Sequence, residues 1–353
     1  MFDRAITDKI RSSSKAIEKA GKLPSFVLEH IYKKKLFKLF IPEPSGGMML
    51  PLPDALRVFD EAGRIDGNLG WAITIGAGGG YFYSYMQAKT AHKVFKDRKA
   101  LVAGSGHPTA IAEEVKGGYK VTGQWKYASS APYASVFTAN AMIKSKKNTP
   151  RMLAFAFLPE QVTIIKDWNA FGMKATESHS FKVDKAFVSY EMAFDLSNKK
   201  LFFDAPIYRY PFLQFAETSF AALVIGLGRH FIEEAKSILA HNQKVWSGVE
   251  TKRYRFVKAK LDSAEKRIEK AIKEFYVTAE KSWKQIVKDN KLQANLQHEV
   301  SKISKQTSRI ILATADELMQ YLGMQAVMEG SEINRVWRDL HTACQHILLI
   351  PFE

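Results

Sequence analysis

The chain has 353 residues, 46% hydrophobic and 25% charged, with a formal net charge of +16. That length exceeds one simple core and implies two or three packed domains of ordinary globular composition. A single cysteine, Cys344, excludes an internal disulfide framework, and no run approaches the roughly 20 apolar residues that span a bilayer. With no cationic and apolar leader after Met1, these features predict a cytoplasmic protein without a membrane partner. Excess positive charge raises nucleic acid as a partner, but the lysines are dispersed. Lys258, Lys260, Lys266, Lys270 and Lys273 alternate with Asp262, Glu265, Glu269 and Glu274, and no basic stripe is interleaved with stacking aromatics. No nucleic acid is expected; a phosphate-bearing cofactor or thioester ligand accounts for part of the excess.

Residues 1 to about 100 read as a helical domain. Ile10, Ala16, Ala20 and then Leu23, Val27 and Ile31 recur at helical spacing, with Pro24 near a helix start. Phe40 to Met48 is a loop by its prolines and glycines, and a helix resumes near Asp54 with Leu56, Phe59 and Ala62 inward. Asp66-Gly67-Asn68 breaks it, before an apolar stretch around Trp71. That tryptophan either walls a pocket or packs in the core.

The period changes at about residue 101. Val115-Lys-Gly-Gly-Tyr119 signals a hairpin, after which Tyr119, Val121, Gly123, Trp125 and Tyr127 alternate. Val136–Ile143 and Met152–Leu158 predict a second hairpin across the polar segment 144–150. Short runs at Val162–Ile165 and Phe181–Val183 extend the pattern, which predicts a compact middle β domain over 101–205, either a barrel or a sandwich. His107 stands in a glycine-rich loop, Gly104-Ser-Gly106.

From residue 206 to 353 the helical period returns. Val257, Leu261, Ala264, Ile268, Ala271 and Phe275 mark one long helix, and Val300, Ile303, Ile310, Ala313 and Leu318 another, predicting a helical bundle that associates between subunits. On a last helix, Arg335, Arg338, Asp339, Thr342 and His346 share one face, with Val336, Leu340, Ala343 and Ile347 opposite. Spacing alone leaves that polar stripe either a strut or a site.

Three segments carry a family resemblance. Gly118-Tyr-Lys-Val-Thr-Gly-Gln-Trp-Lys-Tyr-Ala-Ser-Ser-Ala131 resembles a Gly-Gly-Tyr-x-Val-x-Gly segment leading to an aromatic-x-Ser turn that binds flavin. Trp168-Asn-Ala-Phe-Gly-Met-Lys-Ala-Thr-Glu-Ser-His179 resembles a Trp-x-x-x-Gly-Met-Arg-x-Thr-x-Ser segment. Leu322-Gly-Met, followed by Glu332-Ile-Asn-Arg-Val-Trp-Arg-Asp339, resembles a helix-loop-helix ending in Arg-x-x-Arg-Asp. In this order and at these distances they resemble the acyl-CoA dehydrogenase fold over essentially the whole chain. The resemblance implies a mainly α protein with a central β domain, in which a helical domain, a middle β-barrel and a C-terminal four-helix bundle follow one another, binding FAD or FMN.

Two branches share that fold. In most dehydrogenases a glutamate past the Arg-Asp pair removes the α proton of an acyl thioester; here its place falls at or beside Ile347, with no carboxylate near. Glu217 lies close to an alternative position for that base but offset by one, and Glu233 and Glu234 lie further on. The two-component flavin-dependent monooxygenases instead end in Arg-Asp followed by a histidine, as do Arg338, Asp339 and His346. This resemblance implies reduced flavin delivered by a separate reductase, O2, a small and possibly aromatic substrate, and a homotetramer or homodimer. An acyl-CoA dehydrogenase with a displaced base and a catalytically silent oligomeric binding protein remain as alternatives.

The resemblance also assigns roles. Ser129 approaches flavin N5, and His346 faces the flavin edge or substrate as acid or base, with an ordinary pKa of about 6.5. Trp125, Tyr127, Trp168, Gly172 and Met173 line the flavin, and Thr176 and Ser178 contact its phosphate or ring. His107 is either a flavin contact or an exposed loop residue, and Trp71 is a candidate substrate wall. Arg338 and Asp339 are expected to pair and hold the last helix in register. No histidine or cysteine cluster predicts a metal.

Overall fold

The computed structural model describes residues 1–144, 151–197, 201–248 and 251–352; most of the polar segment expected to join the second hairpin, residues 145–150, lies outside them. Helices α1 (Arg4–Ala20), α2 (Ser25–Lys33), α3 (Leu52–Ile65), α4 (Gly67–Gly78) and α5 (Ala88–Phe95) precede the strands. The strands are β1 (Val102–Val115), β2 (Gly118–Ala128), β3 (Val136–Ile143), β4 (Arg151–Phe157), β5 (Thr163–Ile165), β6 (His179–Ser189) and β7 (Ala193–Phe194). Then come α6 (Pro206–Arg209), α7 (Phe212–His241), α8 (Gln243–Gly248), α9 (Thr251–Asp289), α10 (Ala294–Met319) and α11 (Glu332–Cys344). The protein is mainly α with a central sheet, as expected. Among the described residues, no helix is long and apolar enough to cross a membrane.

All seven strands form one sheet in the order β5-β6-β2-β1-β3-β4-β7. Phe181 on β6 and Phe137 on β3 sit three strands apart, roughly 14 Å in a flat sheet, yet their ring centroids are 5.0 Å apart. The sheet is therefore rolled around a core of its own, with β5 and β7 ending the order. The expected hairpins are present: Val115 pairs with Gly118 across a turn in which Gly117 has φ +87°, and Phe137 pairs with Phe157. The left-handed φ explains why glycine occupies that turn.

The glycine-rich segment at 104–106 is not a loop. It belongs to β1, which runs parallel to β3 with a bulge between Ser105 and Ala110. Gly104 lies so close under Thr138 that a Cβ would overlap its hydroxyl. Glycine there marks the approach of a neighbouring strand rather than a turn.

A second, larger core joins the N-terminal helices to the C-terminal bundle. There α7 packs against α3, α9, α10 and α11. Gly226 of α7 lies where a Cβ would strike the Asp60 carbonyl oxygen of α3, so the two backbones nearly touch. Between α3 and α4, Asp66 is extended, and its carboxylate accepts from the Asn68 and Leu69 amides at 2.9 and 3.1 Å. It is the N-cap of α4.

Candidate functional site

The polar stripe of the last helix is buried. Arg335 is 1% exposed, and its Nη1 bridges Asp66 Oδ2 at 2.9 Å and Asp339 Oδ2 at 3.0 Å, while Nη2 meets Glu332. Asp339 also accepts the Met173 amide, and Arg338 reaches Glu18 of α1 and the Phe171 carbonyl. The expected Arg338–Asp339 pairing does not occur, because adjacent helical residues point about 100° apart. Each instead binds a different element. Together with Asn68 Oδ1, which accepts the Ala175 amide at 2.9 Å, they seat the 171–176 segment against α4 and α11.

Gly172 belongs to that seat. A Cβ there would overlap the Arg338 carbonyl and lie 2.6 Å from Thr342 Oγ1, so the expected flavin-lining glycine is a packing point for α11. Met173 is buried with φ +51°, and its carbonyl accepts from the Trp168 indole at 3.0 Å.

On this seat stands a chain of buried hydroxyls. The Trp71 indole N–H donates to Ser129 Oγ at 2.8 Å. Ser129 Oγ meets Ser178 Oγ at 2.8 Å, and Ser178 meets Thr176 Oγ1 at 2.7 Å. Thr176 donates to the Met173 carbonyl at 2.9 Å. The backbone joins the same two segments, Ser130 N–H to the Thr176 carbonyl at 2.8 Å. Tyr127, Ser130, Met173 and Glu177 have left-handed φ values of +67°, +61°, +51° and +45°. Backbone strain of this kind concentrates where a surrounding structure holds groups for use.

Rings from the helical side close over Ser129. Trp71 stacks on Phe220 of α7 with centroids 5.4 Å apart, and His346 lies 4.3 Å from Phe220 and 6.0 Å from Trp71. His346 is not on the last helix as the spacing predicted. Helix α11 ends at Cys344, and His346 is extended and caps a short 3-10 turn. Ile347, expected on the buried apolar face, is 64% exposed for the same reason.

The His346 Nδ1 accepts from the Leu348 amide at 3.3 Å, which puts the ring proton on Nε2. Burial among apolar groups pushes its pKa down to about 4. At neutral pH the folded ring is therefore uncharged and offers its N–H as a donor, a role that stands beside the acid-base role expected at an ordinary histidine pKa. Between about pH 6.5 and pH 4 the unfolded chain holds a proton that folded His346 lacks, so stability falls as pH falls. Wild-type protein is expected to lose more stability over that interval than His346→Gln, measured by denaturant melts. Parallel losses would exclude this account.

Other expected site residues are placed as follows. Trp125 lies inside the rolled sheet, 1% exposed, its indole bonded to the Asn140 carbonyl and its ring stacked on Phe181. It is a core residue. Tyr127 is 69% exposed and meets Trp168 edge-on at 6.3 Å. His107 is exposed on β1. Burial pushes the Cys344 thiol up to about 12, as befits a packed thiol. Phe220 is the contact that sequence reasoning missed.

Among the described residues, no carboxylate hydrogen-bonds to Trp71, Ser129, Ser178, Thr176 or His346. The carboxylates considered as a displaced base lie elsewhere. Glu217 is buried 3.3 Å from Lys305 Nζ with neither carboxylate oxygen hydrogen-bonded, Glu233 binds Arg11 and Arg64, and Glu234 lies 3.8 Å from His230. A separate cleft of ≈ 230 Å³, lined by Tyr85, Tyr119 and Phe194 among others, opens at the other end of β2. Nine residues of strand put it roughly 30 Å from the hydroxyl chain.

Comparison with known proteins bears on the whole arrangement. The acyl-CoA dehydrogenase C-terminal domain family matches residues 218–351. Indole-3-acetate monooxygenase of Pseudomonas putida is 22% identical over 317 residues, spanning 89% of this chain and 80% of its own. The crystal structure of 3-HSA hydroxylase from Rhodococcus sp. RHA1 has a TM-score of 0.92 at 19% identity, covering 98% of this chain and 92% of its own. XiaF from Streptomyces sp., solved with FADH2 and glycerol, has a TM-score of 0.88 at 19% identity, covering 98% and 89%. The chain thus has the acyl-CoA dehydrogenase-like fold, matches that family's C-terminal domain over residues 218–351, and resembles along nearly its whole length the oxygenase components of flavin-dependent monooxygenases.

Proposed function

We propose that the protein is the oxygenase component of a two-component flavin-dependent monooxygenase, acting on a small aromatic substrate. One observation carries this reading. A buried serine hydroxyl, Ser129, and an uncharged histidine N–H, His346, face an aromatic wall of Trp71 and Phe220, and among the described residues no carboxylate hydrogen-bonds to this cluster. An acyl thioester dehydrogenase needs a carboxylate base there; an oxygenase needs hydrogen-bonding groups in a dry pocket.

The residues present suit a flavin ring: Ser129 would offer a polar atom to a ring nitrogen, Trp71 and Phe220 would exclude water, and Tyr127 and Trp168 at the sheet side would flank the rest. When bound in reduced form, FMN or FAD supplies the electrons that activate O2. The chain's own contribution is positional. Asp339 and Arg338 seat the 171–176 segment, Trp71 fixes Ser129, and the Leu348 amide fixes the His346 tautomer so that its N–H faces away from the 3-10 turn. The FADH2 bound by XiaF and the aromatic substrate named for the Pseudomonas relative support this reading.

A cytoplasmic flavin reductase is the partner that this chemistry requires. Exposed Phe256, Val277 and Val287 on α9 support assembly into a homodimer or homotetramer. The test is to supply purified protein with reduced FMN or FAD, O2 and a panel of phenols and indoles. The expected result is binding of reduced flavin and an oxygenated product. Bleaching of bound oxidised flavin by an acyl-CoA, with no oxygenated product, would establish the dehydrogenase reading instead. Failure to bind either flavin would leave a silent binding protein.

A further inference from the structure

The hydroxyl chain is anchored at both ends by groups with only one role. An indole N–H can only donate, and a carbonyl oxygen can only accept. Thr176 has one hydroxyl proton, and it goes to the Met173 carbonyl. Thr176 must therefore receive from Ser178, and Ser178, having used its proton, must receive from Ser129. Ser129 takes the Trp71 N–H on one lone pair and has one lone pair left. The chain runs in one direction, from Trp71 through three hydroxyls to a carbonyl. Reversing it would leave the Thr176 hydroxyl oxygen and the Met173 carbonyl oxygen 2.9 Å apart with no proton between them.

We propose that Thr176 and Ser178 are positioning residues that turn Ser129 into a hydrogen-bond acceptor, so that the site selects reduced over oxidised flavin. This rests on the flavin reading above. N5 of the reduced ring carries a hydrogen and can donate to Ser129; N5 of the oxidised ring has only a lone pair, and two acceptors face each other. Both residues were expected to touch the flavin directly. Buried beneath Ser129, they act through it instead. A buried polar group left unpaired shifts a binding ratio by about ten- to a hundredfold.

The test is anaerobic titration of the protein with FMN and with FAD, each oxidised and reduced, together with the reduction potential of the bound flavin. Thr176→Val removes the receiving hydroxyl, so Ser178 can turn its proton to Ser129 and Ser129 can donate outward. The oxidised-to-reduced ratio of dissociation constants is expected to fall about tenfold or more, lowering the two-electron potential by about 30 mV per tenfold. Ser178→Ala frees the Ser129 proton in the same way and shifts the ratio in the same direction, which serves if Thr176→Val does not fold. Thr176→Ser keeps the chain and the wild-type ratio. An unchanged ratio in both Thr176→Val and Ser178→Ala, or an equal loss of affinity for both flavin states, overturns the proposal. A wild-type protein that binds neither state overturns the flavin reading itself, and this proposal with it.

Discussion

Replacing Arg335 with leucine is expected to lower the unfolding free energy by about 3–5 kcal/mol, the usual consequence of removing one partner from a buried ion pair. Three carboxylates converge on this guanidinium, and Asp66 and Asp339 are almost wholly buried. Leucine fills much of the volume but leaves those charges facing one another. Burial already pushes the Asp339 carboxyl up to about 7 against the pull of Arg335. Without that pull it rises further, so the folded variant holds a proton that its unfolded chain releases. The deficit therefore grows as pH rises. Urea melts at several pH values measure both effects. Combining Arg335→Leu with Asp66→Asn and Asp339→Asn is expected to recover part of the loss, since no unpaired carboxylate then remains except Glu332 at the edge. A single variant as stable as wild type would show that the network contributes nothing net.

His346→Ala is expected to lower product formation by roughly 10²–10³-fold, the typical effect of removing one preorganised donor from a dry site. His346→Gln is expected to retain most of the activity, because its amide keeps an uncharged N–H donor. An acid-base histidine makes the opposite prediction: glutamine would be as poor as alanine, and the wild-type pH–rate profile would show a limb near pH 6.5. Product yield per reduced flavin consumed, followed across pH for all three proteins, separates the two roles. A wild-type limb near 6.5 that disappears in the glutamine variant would overturn the donor assignment.

The contrast between acid-base group and donor shows how far residue order reveals a site. His346, Ser129 and Trp71 were recognisable as candidates because each stands in or beside a motif. The environment of His346 was not legible, since its lowered pKa comes from Phe220 and Trp71, which lie far away in the chain. Phe220 itself carried no signal, because an aromatic residue in an apolar helix reads as core. Trp125 and Tyr127 share a parity that should put them on one face of β2. A register shift between Trp125 and Ala128, with Tyr127 at φ +67°, sends one inward and the other out. Alternation could not foresee that bulge.

At the level of the fold, signals dependent on local chemistry were legible. The turn at Gly117, the helix start at Pro24 and the break at Asp66 are where their residues predict. Helix α4 was not, because it is buried all round and so has no hydrophobic period. Strand β1 was hidden for a related reason: its Gly104 answers to Thr138 on a neighbouring strand, a contact that only tertiary structure creates.

The placing of the cluster between two cores has a consequence for stability. Ser129, Ser178 and Thr176 come from the rolled sheet and its loops, whereas Trp71, Phe220 and His346 belong to the helical side. The cluster thus lies where loops of the sheet meet the helical side, which the larger core also joins through Val102, Val136 and Ala154. A molecule bound there would touch both, so its binding would raise the melting temperature of the chain as a whole.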